Sequence, residues 1–160
     1  MGKPLVSYTT MITVTASVST SAYATNDQLG GIQTLTRTGR ENQAGSVLHS
    51  VTVISSEGQA PELDILFFNQ LPDVTSTDNA AINVIDSELR DKCVGFINFS
   101  ATDYKLINGQ SAAIGCVRNV GLVLKPIAGS QDCFAVPILR TAVTFTSSNS
   151  LVFKYELLQD

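Results

Sequence analysis

Apolar and polar residues alternate one by one along much of this chain, and a chain patterned that way buries its apolar half by forming strands. Residues 11–18 set Ile12, Val14, Ala16 and Val18 on one side and Met11, Thr13, Thr15 and Ser17 on the other. Residues 46–56 repeat the pattern, which places Val47, His49, Val51 and Val53 on one face and Leu48, Ser50, Thr52 and Ile54 opposite. The segment 150–158 brings Leu151, Phe153, Tyr155 and Leu157 together. The run at 63–69, LDILFFN, is apolar on both sides from Ile65 to Phe68, which suits a strand at the centre of a sheet or between two layers.

Further strands are predicted at 93–99, 103–107, 111–117, 119–124, 133–140 and 142–147. Turn signals stand at Gly30-Gly31, at 36–40, which reads as a hairpin tip, and at Glu57-Gly58. Pro137 lacks an N–H to give to a ladder, so 133–140 should be an edge strand or carry a bulge. One stretch departs from period two. Ile82, Ile85, Leu89 and Cys93 are spaced by three and four residues, which predicts a short helix over 78–91 with Asp78 as its N-cap. About ten strands and no regular strand–helix alternation imply an all-β fold: an antiparallel β-sandwich, jelly-roll-like, with one short helix. A length of 160 residues suits one domain spanning 1–160, with residues 1–18 as an N-terminal strand or arm used in assembly.

Composition narrows the function classes. Only 15% of residues are charged, the net charge is −4, and the ten Lys and Arg are scattered. No basic stripe exists to neutralise phosphates, so direct nucleic-acid binding is not expected. No stretch approaches the roughly 20 apolar residues of a membrane span. Residues 11–24 end like a signal-cleavage site, but their hydroxyls interrupt any apolar core and only Lys3 precedes them, so a strand is the better reading. Met1-Gly2 is not a myristoylation start, because Val6 stands where Ser or Thr is needed. Cys93, Cys116 and Cys133 are odd in number and widely spaced, which fits reduced thiols better than a disulfide framework or a zinc site. A Cys93–Cys116 bridge stays open, and the economical expectation is folding in a reducing cytoplasm.

Candidate chemistry is sparse. His49 is the sole histidine, with Ser46 and Ser50 nearby, but valines share its face and no nucleophile elbow is present. Nothing marks a cysteine as activated. Asp73, Asp78, Asp86, Glu88 and Asp91 form an acidic stretch without the alternating ligand spacing and central Gly of a calcium loop, though a weak cation site or a contact to a neighbouring subunit remains open. Gly30-Gly31 lacks the Lys-Ser/Thr of a phosphate loop. Trp is absent, and Tyr8, Tyr23, Tyr104 and Tyr155 are a thin supply for a sugar-stacking platform. No catalytic residue, cofactor site or metal site is expected, and the protein is not expected to be an enzyme.

The block at 60–89 has a recognisable order. A strand with Leu63, Asp64, Phe67 and Phe68 is followed by Pro72, Thr75 and Thr77, then Asp78, Asn79, Ala80 and Ala81, then a return strand. Flanking it are AYATNDQLGG at 22–31, SVTV at 50–53, RNVGLVLKP at 118–126 and the closing LLQD. Together these resemble small virion proteins encoded by tailed bacteriophages, of the capsid decoration or cement type. The resemblance implies a β-sandwich that decorates the capsid or another virion part, folds in the host cytoplasm and binds the major capsid protein, often as a homotrimer. A tail- or fibre-associated host-recognition domain that binds a receptor or glycan shares the architecture. It carries no functional site residue over to this chain.

Overall fold

Four antiparallel strand pairs lie nested one inside the next along the chain, and this nesting fixes the architecture. The computed structural model describes residues 8–42 and 44–159. Among them the strands are β1 (Tyr8–Ala16), β2 (Gln33–Leu35), β3 (Ser46–Ser55), β4 (Leu63–Phe68), β5 (Cys93–Phe99), β6 (Tyr104–Ile107), β7 (Ala112–Leu124), β8 (Cys133–Leu139) and β9 (Leu151–Gln159), with one α-helix, α1 (Asp86–Lys92), and a 3-10 turn at Ala101–Asp103. β1 pairs with β9, β2 with β8, β3 with β7 and β4 with β5, each antiparallel. Rolled up, this ribbon gives two sheets, ordered β1-β9-β3-β7-β6 and β2-β8-β4-β5. Two sheets built from such a ribbon are a jelly roll, as the alternation had led us to expect.

The core lies between the sheets. Leu151, Phe153, Tyr155 and Leu157 of β9 are fully buried on the face the sequence assigns them, opposite Leu63, Ile65 and Phe67 of β4. Phe67 meets Tyr155 edge-on at 6.0 Å between ring centroids. Burying each such side chain contributes about 1.5–3 kcal/mol. β4 sits between β8 and β5, the central place its two-sided apolar run requires. Ile12 and Ala16 of β1, with Val18 beyond it, are likewise buried.

Elsewhere the strand pattern is broken by bulges that the alternation does not reveal. Between the same two rungs β9 advances from Leu157 to Glu156, β3 from Leu48 to Ser50, and β7 from Leu122 to Arg118. The extra residues accumulate from strand to strand, and Asn119 and Gly121 turn to positive φ to accommodate them. On β3 the extra residue is His49, and it resets the faces: Leu48 is buried with Val51 and Val53, while Val47 is 37% exposed. The expected grouping of Val47 with Val51 and Val53 is therefore wrong. The expected strands 111–117 and 119–124 are one bulged strand, β7.

Other boundaries also move. Residues 36–40 are not a hairpin tip, because they carry the chain from β2 in one sheet to β3 in the other. Residues 142–147 form no strand and contribute one isolated bridge, Val143 to Tyr23. β8 is not an edge strand, since β2 and β4 flank it. The irregularity at Pro137 lies in the facing chain, where 29–32 span the gap between Gln28, bridged to Ile138, and Gln33, paired with Ala135. Four residues thus oppose two, with Gly30 and Gly31 both at positive φ, and Pro137 faces the loosened segment.

The helix begins at Asp86, and its N-cap, Ile85, makes no side-chain cap hydrogen bond. Asp78 is employed elsewhere: its carboxylate accepts from the Tyr23 hydroxyl (2.6 Å), the Gly30 amide (2.6 Å) and the Ser19 amide (2.7 Å). Burial, and then the bond to Asp78, push the Tyr23 phenol well above its ordinary range. The apolar helix face is not covered, since Ile85 and Leu89 are 50% and 38% exposed.

Candidate functional site

The residues first singled out for chemistry do not converge. His49 Nδ1 lies 3.1 Å from Glu156 Oε2, and the Ser50 hydroxyl donates to that same oxygen at 2.7 Å. The Ser50 hydrogen bond first, and that of His49 second, hold the Glu156 carboxyl below its ordinary value. A serine relay needs the hydroxyl on the imidazole, whereas here Ser50 gives its proton to the carboxylate. Asp64 is ion-paired with Arg140 at 2.6 Å in the other sheet, bonded also to Asn98, and Ser46 is buried. The thiols are free: Cys133 is buried, and burial pushes its pKa up to about 11, while Cys93 and Cys116 are half-buried. The raised pKa disfavours a reactive thiolate at Cys133.

The acidic stretch is likewise dispersed. Glu88 pairs with Lys92 at 2.6 Å and accepts the Asp73 amide, Asp91 pairs with Arg90, and Asp78 anchors the 19–30 segment. Among the described residues no group of three or more His, Cys, Asp or Glu side chains is placed to hold a metal ion. Tyr23, Tyr104 and Tyr155 are buried, which leaves Tyr8 as the exposed tyrosine. Two of the blocks behind the phage resemblance meet in space, through an Asp27–Ala81 bridge and the Asp78 hydrogen bonds. They are architecture.

What the fold does present is an edge with a groove beside it. β1 is the outermost strand of its sheet and reads YTTMITVTA, nine residues with no charge, proline or glycine. Successive residues of a strand turn their backbone groups to alternate sides, so half of those on β1 face away from β9. Alongside lies a groove of about 620 Å³, lined by 10–13 of β1, by Thr36, Arg37, Gly39 and Arg40, and by Gln159.

The far wall is stitched in place. Gln159 Nε2 donates to the carbonyls of Arg37 and Thr38, both at 2.8 Å, and its Oε1 accepts from Thr10 Oγ1 at 2.9 Å. The buried Thr38 hydroxyl donates to the Leu35 carbonyl and accepts from the Cys133 amide. Arg37 takes a left-handed φ of 56°, and its amide is capped by Asp132 at 2.8 Å. Gly39 is required because a Cβ there would lie 2.2 Å from the Ala44 carbonyl oxygen. Arg40 lies over the Tyr8 ring, 4.0 Å from its centroid, in a cation–π contact. Residues 10–13, 36–40 and 159 are too far apart in sequence for their spacing to have revealed this groove; the one advance signal was the Thr-rich outer face of β1.

No family model matches this chain, and no curated protein does. Among solved structures it is similar to a chain of desmodium yellow mottle tymovirus, with 14% identity, 99% of this chain and 89% of that chain covered, and a TM-score of 0.38. A chain of turnip yellow mosaic virus is similar at 12% identity, covering 99% and 82%, with a TM-score of 0.35. A chain of the native Kashmir bee virus virion at neutral pH follows at 10% identity, 96% and 69% coverage and a TM-score of 0.29. All three are viral, and the jelly-roll assignment rests on the nested pairing of the strands. Among the described residues no helix is long and apolar enough to cross a membrane.

Proposed function

We propose that this protein is a structural component of a virus particle, and more narrowly a capsid decoration or cement protein of a tailed phage. On this reading it folds in the host cytoplasm, binds the major capsid protein between capsomers as a homo-oligomer, with a trimer favoured, and stabilises the head. The jelly roll is an architecture of viral capsid domains, and the motifs at 22–31, 60–89 and 118–126 resemble such virion proteins. The observation that carries the reading is the β1 edge. Proteins ordinarily protect a long edge strand with charge, proline or a bulge, and β1 has none of these. An edge left in that state suits a surface that a neighbour covers by strand addition. Residues 1–7 of the expected assembly arm lie outside the described residues.

A tail- or fibre-associated domain that binds a receptor or glycan is the second reading, since lectins also use the jelly roll. It is less favoured because three of the four tyrosines that could stack on a sugar are buried.

The test is re-binding to particles stripped of this protein. Deleting the first 18 residues would remove a core strand, so point variants are needed. Of Thr10→Pro and Met11→Pro, one removes a β1–β9 backbone hydrogen bond and the other a backbone N–H that faces away, and Thr10→Pro also removes the hydroxyl bonded to Gln159. The variant that melts like the wild type is expected to lose particle binding, and retained binding by that variant defeats the proposal. Mass spectrometry of intact particles then separates the two readings, with hundreds of copies expected for a shell protein and a few for a tail part.

A further inference from the structure

The groove also says what kind of chain should cover the edge. Among the described residues none that lines it is acidic, and two are arginines. Arg90 and Arg140 are each paired with a carboxylate, whereas Arg37, Arg40 and Arg118 are exposed and have no carboxylate partner among the described residues, and of these three Arg37 and Arg40 line the groove. The guanidinium carriers are also ordered in advance. Arg37 has its backbone fixed by Asp132 and Gln159, and Arg40 is seated on Tyr8. A site ordered before binding loses less entropy when it is filled. Arginine presents a rigid fork that matches a carboxylate, so an acidic chain fits this wall better than a neutral one. The absence of a basic stripe that could neutralise successive phosphates weighs against a nucleic-acid strand in the same place.

We propose that the groove beside β1 receives an extended acidic segment of a neighbouring protein, which adds to β1 as a further strand while its carboxylates pair with Arg37 and Arg40. This rests on the reading of β1 as the assembly edge. Strand addition supplies backbone hydrogen bonds along residues 9–15, and the two arginines fix register and select against basic or neutral chains.

The test uses the full chain and three probes: an eight-residue peptide alternating valine with glutamate, its valine–lysine counterpart, and a 20-nucleotide oligo-dT. The glutamate peptide is expected to bind, to protect β1 amides from hydrogen exchange, and to weaken with added salt. Arg37→Glu with Arg40→Glu should weaken it roughly tenfold or more, since two exposed ion pairs become repulsive, and Arg37→Lys with Arg40→Lys should restore part of the affinity. Equal binding of the lysine peptide, unchanged affinity in the charge-reversed variant, or binding of oligo-dT in place of the peptide each overturns the proposal. Particle re-binding separates this claim from the one beneath it. If the charge-reversed protein binds particles like the wild type while the folded proline variant does not, the acidic occupant is wrong and the edge reading stands. If both bind, both are wrong.

Discussion

Among the described residues the five-stranded sheet has two free edges, and they are treated differently. β6 is four residues long, carries Lys105, and runs into the left-handed turn at Asn108, Gly109 and Gln110. It is short and charged, two of the ordinary ways in which an edge is kept from pairing with other chains. β1 at the opposite edge is nine residues long, uncharged, regular in register along its whole length, and bordered by a groove. One molecule thus carries a protected edge and an unprotected one in the same sheet. Since a bare edge invites aggregation, its retention here points to a use.

The largest effect should come from the clamp behind β1. Gln159→Ala leaves the Arg37 and Thr38 carbonyls and the Thr10 hydroxyl without that partner, which should cost about 2–3 kcal/mol by denaturant unfolding. Amides 36–40 should exchange faster, and particle binding should fall at a temperature where the variant is still folded. Unaltered exchange in 36–40 would show that the groove wall stands without Gln159.

The protected edge should respond otherwise. At Gly115 a Cβ would lie 2.6–2.9 Å from the Tyr104 ring at the start of β6. Gly115→Ala should cost about 1–3 kcal/mol as the ring is pushed aside. It should loosen β6 and leave particle binding unchanged in the folded protein. Loss of binding at this edge would break the contrast.

A smaller effect is a pH dependence of stability centred on Glu156, which pairs in register with Met11 of β1. Its carboxyl is held below the ordinary value of 4.5 by Ser50 and then His49. A group whose folded pKa is depressed contributes stability that is present above its unfolded pKa and lost as pH falls through the folded one. The wild type should therefore lose stability relative to Glu156→Gln below about pH 4.5. Parallel denaturation curves for the two proteins from pH 6 to pH 3 would remove Glu156 from the account.

How much of this was legible in sequence depends on the range over which each feature is decided. Strands β1, β4 and β9 were legible because their faces are set by period two within the strand. β3 misled because its bulge answers a mismatch between β9 and β7, which no local pattern encodes. Asp78 had the look of a helix cap, yet its carboxylate is satisfied by donors at Ser19, Tyr23 and Gly30, each nearly 50 residues or more away. Pro137 signalled a disturbed ladder correctly, but the disturbance lies in the facing chain. The groove was illegible for the same reason as the β3 bulge, since three distant segments build it and are joined by Gln159 and by Arg40 on the Tyr8 ring.

The smallest change in stability should accompany a large change in association, and this separates edge chemistry from folding. Thr13 is exposed, lines the groove and lies directly opposite Lys154 of β9. Thr13→Glu places a carboxylate across from that ammonium, a cross-strand pair worth roughly 0.2–1 kcal/mol in favour of the fold. The variant should therefore melt at or slightly above the wild-type temperature. The same carboxylate stands in the path of an acidic strand, so particle binding should fall, and it should fall less at high salt, where the repulsion is screened. Thr13→Lys inverts both terms: it sets like charges opposite one another and lowers stability slightly, but it should spare an acidic partner's electrostatic attraction. A pair of variants that shift stability and binding in opposite directions cannot be explained by damage to the sandwich. If Thr13→Glu binds particles as the wild type does, at a salt concentration where charges still act, no acidic strand lies along β1, and the edge itself is left to the proline variants to decide.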